Sequence, residues 1–315
     1  MAQNLGSGSG RTPIVPSNGL HASRPRTALA PLSIRWTIGD VHPRGFQSLR
    51  LSLLGAWKVF GSSASYTVCV NTLSPDDAAR RVGPLPHDVI WQAVSHNDLP
   101  AFIRRQIDGG MAEGVAWKLA ALRLHPERRE LALDNDCILW ALPDALRRWL
   151  TSDGAFVIAE DVRCAFGQFQ NELLEPRNSG IVGLPSAFDY EAALQQTIER
   201  RPVFLNSELD EQGLQALTLA RQRHCLVVST QDVSICSPFH PGTRAFGRCG
   251  AHFIGLNARH IPWSYFDRAA DEWIEEHWAM SRPALERLVQ TEADAQNEKG
   301  RSIAAPASGT VSGGY

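Results

Sequence analysis

No stretch of this sequence approaches the ~20 consecutive apolar residues a membrane-spanning helix needs, so no span is expected. No C-x-x-C pair occurs among the six cysteines, at positions 69, 137, 164, 225, 236 and 249. Most lie in apolar settings such as Val68-Cys69-Val70. That is the usage of buried, reduced thiols, and it argues against a disulfide framework or a zinc site. Charge of one sign is not in excess either. The 31 Lys+Arg and 33 Asp+Glu leave a formal net charge of −2, so bulk electrostatics give no case for nucleic acid or an anionic membrane. No internal repeat is apparent.

What is present is an ordinary globular composition, 43% apolar and 20% charged over 315 residues. One large domain or two small ones are expected. Residues 1–31 and 291–315 are rich in Gly, Ser and Pro and read as flexible tails. The first of them has no apolar h-region, so a secretory signal is not expected. With reduced cysteines, a cytoplasmic location is expected. The folded domain is then 32–290.

Within it, segments rich in β-branched and aromatic residues alternate with segments of helical periodicity. Strands are expected at Leu32–Ile38, Tyr66–Val70, Val89–Ala93, Leu131–Trp140, Phe156–Ile158, Gly180–Leu184, Leu226–Ser229 and Val233–Cys236. Helices are expected at Gly45–Phe60, Leu99–Ile107, Val115–Leu124, Asp144–Leu150 and Pro185–Glu199. Further helices are expected from Ser207 to about Arg221, at Ala270–Met280 and at Pro283–Val289. This alternation predicts an α/β domain with a mostly parallel central sheet flanked by helices. Ligands of such sheets bind outside the carboxyl ends of the strands.

The stretch Leu131–Trp140 (LALDNDCILW) is the centre of the reading. Its apolar run is broken by Asp134-Asn135-Asp136. Charged groups are rarely buried unless paired or bound to metal. On an extended chain, positions i and i+2 point the same way, so Asp134 and Asp136 are expected to aim at one hard cation. A strand-end turn is the plainer alternative.

Four further stretches come with it: Lys118, Asn178-Ser179-Gly180, Asp210-Glu211-Gln212, and His252-Phe253-Ile254-Gly255 followed by Pro262-Trp263. In this order they resemble the motif series of the glycogenin-like and galactosyltransferase-like retaining glycosyltransferases. Those enzymes have the GT-A fold and use UDP-sugars with Mn²⁺. The separation of Lys118 from Asp134, 134 − 118 = 16 residues, is also similar to glycogenin. Thr37–His42 (TIGDVH) is similar to the family's first-strand turn, which holds uracil. The resemblance runs from about residue 33 to 263.

Two departures stand out. Glu211 takes the place of the family's Asp. Pro262 lies seven residues after Gly255, three more than in the family, and the family lysine before Pro-Trp is missing. Arg259 or His260 is the candidate replacement.

The resemblance implies a metal-dependent hexosyltransferase acting on a UDP-sugar and an unidentified acceptor. Asp134, Asp136 and His252 would hold Mn²⁺ (or Mg²⁺). Thr37, Asp40, Lys118, Asn135, Asn178, Gly180, Gly255 and Arg259 would bind the donor, and Asp210, Glu211 and Gln212 would lie at the reacting carbon. Asp210 has a second reading, since it stands three residues after Ser207 and suits a capping box. Glu211 has one too, as an acid favoured in a helix's first turn. Two other function classes are compatible with parts of the sequence, a degenerate GT-A domain that binds without turnover and a nucleotidyltransferase. The latter needs a Gly-rich basic loop after the first strand, and Gly39–Gly45 (GDVHPRG) is a poor match.

Overall fold

The computed structural model of the protein describes residues 32–107, 117–120 and 122–290. The expected tails lie outside these residues. The chain runs β1 (Leu32–Ile38), α1 (Pro43–Phe60), β2 (Ala64–Val70), α2 (Pro75–Val82), β3 (Ile90–Ala93), α3 (Ala101–Ile107), β4 (Arg129–Leu133), β5 (Cys137–Leu139). It continues through α4 (Asp144–Thr151), β6 (Phe156–Glu160), β7 (Arg177–Leu184), α5 (Tyr190–Arg200), α6 (Glu208–Ala220), β8 (Cys225–Val228) and β9 (Val233–Cys236). It ends with β10 (Gly250–Phe253), a short hairpin of β11 (Ser264–Tyr265) and β12 (Arg268–Ala269), and α7 (Ala270–Val289).

Seven strands form the central sheet in the order β3-β2-β1-β4-β7-β6-β8. All pairings are parallel except those of β7, which runs antiparallel between β4 and β6. The mostly parallel sheet flanked by helices is therefore as expected. A smaller sheet, β5-β10-β9, stands beside it. Strand order reverses at β1, so the carboxyl ends of β1 and β4 border the crevice where such sheets take ligands.

Alternation divides the core. Ile34, Trp36 and Ile38 of β1 pack on one face with Leu49, Leu53 and Trp149. Arg35 belongs to the opposite face, where Val182, Phe166, Tyr190 and Leu214 pack. A third cluster joins Ile138, Phe253, Trp278 and Leu285 between the small sheet and α7. Among the described residues no helix is long and apolar enough to cross a membrane.

Four expectations are corrected. Leu131–Trp140 is two strands with a turn between them, as described below. Of the expected helix Val115–Leu124, residues 115, 116 and 121 lie outside the described ones, while Trp117–Leu119 is one 3₁₀ turn. Residues 122–124 are not helical, and the Leu124 N–H donates to the Glu130 carboxylate (3.0 Å) and not up a helical ladder. The helix expected from Pro185 starts at Tyr190, where Asp189 caps by accepting from Ala192 N–H (2.9 Å). In addition, α7 is continuous through Pro283.

Gly55 lets α1 lie directly on β5. A Cβ there would fall on the Leu139 carbonyl oxygen, with Val289 Cγ1 at 3.3 Å behind it. Gly55→Ala is expected to destabilise the protein by about 2 kcal/mol, the middle of the range for overpacking. Urea unfolding checks it, and an unchanged midpoint would contradict this packing.

Candidate active site

The two sheets meet at residues 134–136. Asp134 N–H donates to the Gly180 carbonyl (2.9 Å), carrying the β4–β7 ladder one step further. Phe253 N–H donates to the Asp136 carbonyl (3.0 Å), extending the β5–β10 ladder from the other side. Cys137 N–H closes the turn on the Asp134 carbonyl (3.0 Å). The carboxylates therefore converge from the ends of two sheets, and not as neighbours on one extended strand.

His252 reaches them from β10, where it pairs with Cys137. Its Nε2 lies 3.3 Å from Asp136 Oδ1 and 3.5 Å from Asp134 Oδ2. One ligand atom from each of the three residues falls within 4.8 Å of the others. Gly180 makes this approach possible, since any Cβ there would press on the imidazole, 2.7 Å from Nδ1. Lys118 Nζ completes the group, 2.8 Å from Asp134 Oδ2.

The charges are mutually supporting. Burial disfavours the His252 cation, but hydrogen bonds to Asp134 and Asp136 outweigh it and push the imidazole up to about 10. Burial also disfavours ionised Asp134, yet Lys118 and His252 hold its carboxyl well below the usual range. Burial likewise opposes the Lys118 cation, and Asp134 and Glu211 more than restore it. A divalent cation that displaces the His252 Nε2 proton would find two carboxylate oxygens and an imidazole nitrogen close enough to serve as its donor set.

Glu211 lies behind this group on α6, 1% exposed. Gln215 donates to its carboxylate, and the Tyr190 hydroxyl donates to Gln215 Oε1 (2.9 Å). Burial pushes the Glu211 carboxyl up to about 7; Lys118 pulls it down and Asp134 adds to the rise. The folded chain thus binds this proton more tightly than the unfolded one, whose carboxyl titrates near 4.5. Stability from this residue is therefore lost as pH rises from about 4.5 to about 7. Across that window, Glu211→Gln is expected to gain stability relative to the parent, as read by urea unfolding in chelator. A pH-independent difference would contradict the assignment.

Gln212 bridges the next two segments: Oε1 accepts from Ser179 N–H (3.3 Å) and Nε2 donates to the Ala165 carbonyl (3.0 Å). Asn178 is buried, accepting from Gly180 N–H (2.7 Å) and donating to Asp161 (2.9 Å). Of the two roles read for Asp210, the capping box with Ser207 is present. Its carboxylate also takes N–H groups from Gln168 (2.7 Å) and Asn206 (2.7 Å). Asn135 exchanges amide hydrogen bonds with Asn257 (2.7 and 2.9 Å) and donates to the Gly45 carbonyl (3.0 Å). Its carboxamide ties the Asp turn to α1 and to the loop after β10.

The remaining candidates lie at the end of β1 and on the loop facing it. The Thr37 hydroxyl accepts from Arg35 (3.3 Å). Asp40 pairs with Arg81 (2.7 Å) and Arg259 (2.5 Å). His260 turns instead to Asp271 (3.1 Å). Gly255 adopts φ = +89°, open to glycine at no cost, and a side chain there would meet Ile274 Cδ1 at 2.8 Å. Sequence reasoning missed Arg35, Glu130, Asp161 and Asn257, which hold the site's segments in place. The one signal for the first two was a charge inside an apolar strand, in LSIRWTI and RELAL.

No known protein family and no curated protein matches this sequence. Among solved structures the chain is similar to the galactosyltransferase LgtC in complex with donor and acceptor sugar analogues. The two are 14% identical, with 79% of this chain and 95% of that one covered and a TM-score of 0.47. It is also similar to mouse xyloside xylosyltransferase 1 in its apo form, at 14% identity, with 73% and 99% covered and a TM-score of 0.46.

Proposed function

We propose that this chain is a GT-A glycosyltransferase, metal-dependent and retaining, which moves a hexose from a UDP-sugar to an acceptor. The supporting observation is the convergence of Asp134, Asp136, His252 and Lys118 at the carboxyl edge of the parallel sheet, reached by the motifs that carry the family resemblance. In this reading the catalytic domain is 32–290 and the protein is cytoplasmic.

Asp134, Asp136 and His252 hold the cation. The imidazole favours Mn²⁺, with Mg²⁺ as second choice. When bound, the ion supplies a Lewis acid beside the departing diphosphate. Lys118 adds a point charge at the phosphates, and Gly255 lets backbone approach them closely. Thr37 and Asp40 face the nucleotide, and Asn135 and Asn178 shape the turn and strand around it. Gln212 and Glu211 stand by the reacting carbon, with Asp210 fixing the start of their helix. Retention through a protein nucleophile needs paired carboxylates ~5 Å apart. Asp134 and Asp136, the close carboxylate pair of this site, are assigned to the cation, so the departing phosphate accepts the acceptor's proton on the same face.

The test is incubation with a panel of UDP-sugars and Mn²⁺, with detection of released UDP. Metal-dependent UDP release supports transfer. Nucleotide binding without release across the panel would make this a binding domain, and pyrophosphate release with UTP would make it a nucleotidyltransferase.

Arg259 is assigned as the replacement for the family lysine. Its pairing with Asp40 keeps it at the nucleotide end of β1, and its planar fork suits phosphate. If Arg259 contacts the diphosphate in both ground and transition states, Arg259→Ala raises the donor KM with kcat little changed; if it acts mainly on the charge that develops at departure, kcat falls instead. The loss is about 1.5–3 kcal/mol, the range for a hydrogen bond to a charged group. Unchanged kcat/KM would remove Arg259 from the site.

A further inference from the structure

Arg35 of β1 and Glu130 of β4 form an ion pair inside the domain, 5% and 1% exposed, with Nε 3.2 Å from Oε1. Glu130 stands opposite Ser33, two residues before Arg35 on the same face. A buried pair of this kind is a poor device for stability, because well-packed apolar residues serve as well or better. Its remaining hydrogen bonds suggest another use. Arg35 Nη1 donates to the Lys118 carbonyl and Nη2 to the Leu122 carbonyl, both at 3.5 Å. Glu130 Oε2 accepts from the Leu124 N–H at 3.0 Å. Both partners therefore grip the same irregular segment.

The described residues of that segment, 117–120 and 122–124, have little regular structure of their own. Beyond the single 3₁₀ turn at Trp117–Leu119, its downstream half is tied by Arg123. That guanidinium donates to the carbonyls of Pro185 (3.0 Å), Phe188 (3.0 Å) and Arg128 (2.8 Å). Toward Lys118, among the described residues, the side-chain anchor on the backbone is Arg35. The half-buried Lys118 ammonium must nonetheless sit within 2.8 Å of Asp134. We infer that Arg35 and Glu130 are positioning residues, a buried ion pair that sets the backbone at Lys118 and so holds its ammonium at the carboxylate site. The functional consequence rests on the transferase reading above; the anchoring does not.

The experiment uses the full chain with Arg35→Met and Glu130→Met combined, so that no unpaired charge is left buried. Two readouts are taken beside the melting temperature. The first is amide hydrogen exchange over 117–124, which needs no substrate. The expected result is exchange at Leu124, which loses its acceptor, and at Ala120, whose N–H closes the turn on the Trp117 carbonyl (3.2 Å), faster by tenfold or more while exchange in β1 and β4 is unchanged. Unchanged exchange at both amides would overturn the inference. The second is donor turnover in a cycle with Lys118→Ala. The pair replacement is expected to lower kcat by roughly ten- to a hundredfold, the scale of a 1 Å misplacement. In the Lys118→Ala background it is expected to cost nothing further, because both changes remove one function. Additive losses would overturn the inference. If Lys118→Ala itself leaves turnover intact, the transferase role of Lys118 fails, while the exchange result still decides the anchoring. Should the double variant not fold, Arg35→Lys keeps the charge pair but loses the fork that spans two carbonyls. The same two readouts then apply.

Discussion

Asp136→Ala is expected to abolish sugar transfer and, with it, the dependence of UDP binding on metal. Asp136 is buried, and its Oδ1 is the nearer of the two carboxylate contacts to His252 Nε2. Its removal takes the donor set from three groups to two and leaves the imidazole facing Asp134 alone. Loss of a residue that merely supports a metal ligand costs about 10–100-fold in affinity or activity, and loss of a ligand should exceed that. Turnover with a UDP-sugar and calorimetric titration of UDP with and without Mn²⁺ measure the two effects separately. Asp136→Asn preserves volume and hydrogen-bonding capacity while removing the charge, so it distinguishes a lost ligand from a disturbed turn. Undiminished turnover in either variant would sink the metal assignment.

That Asp134 and Asp136 converge is easier to read from sequence than how they do so. Leu32–Ile38 and Val233–Cys236 have the boundaries their composition suggests, because a buried strand needs little beyond an apolar run. The i, i+2 spacing of the Asp pair predicts an extended strand. Local spacing cannot reveal that β4 and β5 belong to different sheets, since that follows from their pairing with β7 and β10, more than 40 residues away along the chain. Helix α2 escaped notice although its ends are marked, with Ser74 capping, Pro75 behind it and Gly83 closing it. It carries few apolar residues, and periodicity has little to register there. The supposed helix over Val115–Leu124 shows the reverse error. Its apolar spacing was adequate, but Arg35 and Glu130 take the backbone groups that a helix would use. For the candidate site, residue type and order pointed to Asp134, Asp136, His252 and Lys118. The internal commitments of Asn135 and Asp210 depend on partners that only the fold supplies.

Gly180→Ala, a change of one methyl group, is expected to disable the site from the neighbouring strand. The glycine lies on β7 beside the Asp134 ladder, and the His252 ring crosses its backbone so closely that a Cβ would sit 2.7 Å from Nδ1 and closer still to Cε1. The ring has little room to retreat, because His252 is 5% exposed and its strand is paired on both sides, with β5 and β9. Overpacking of this kind costs about 1–3 kcal/mol. The part absorbed by moving the imidazole would displace Nε2 from Asp134 and Asp136. Metal affinity is therefore expected to fall by at least tenfold, and turnover with it. Gly183→Ala supplies the control. It lies on the same strand and would press on Val157 and on Trp149, whose Cε2 is 2.9 Å away, so it should cost similar stability while leaving His252 in place. If both variants lose stability but Gly180→Ala alone loses Mn²⁺ affinity, the glycine is there to admit the histidine. Equal affinities in the two variants would show that His252 does not need this clearance to reach the carboxylates.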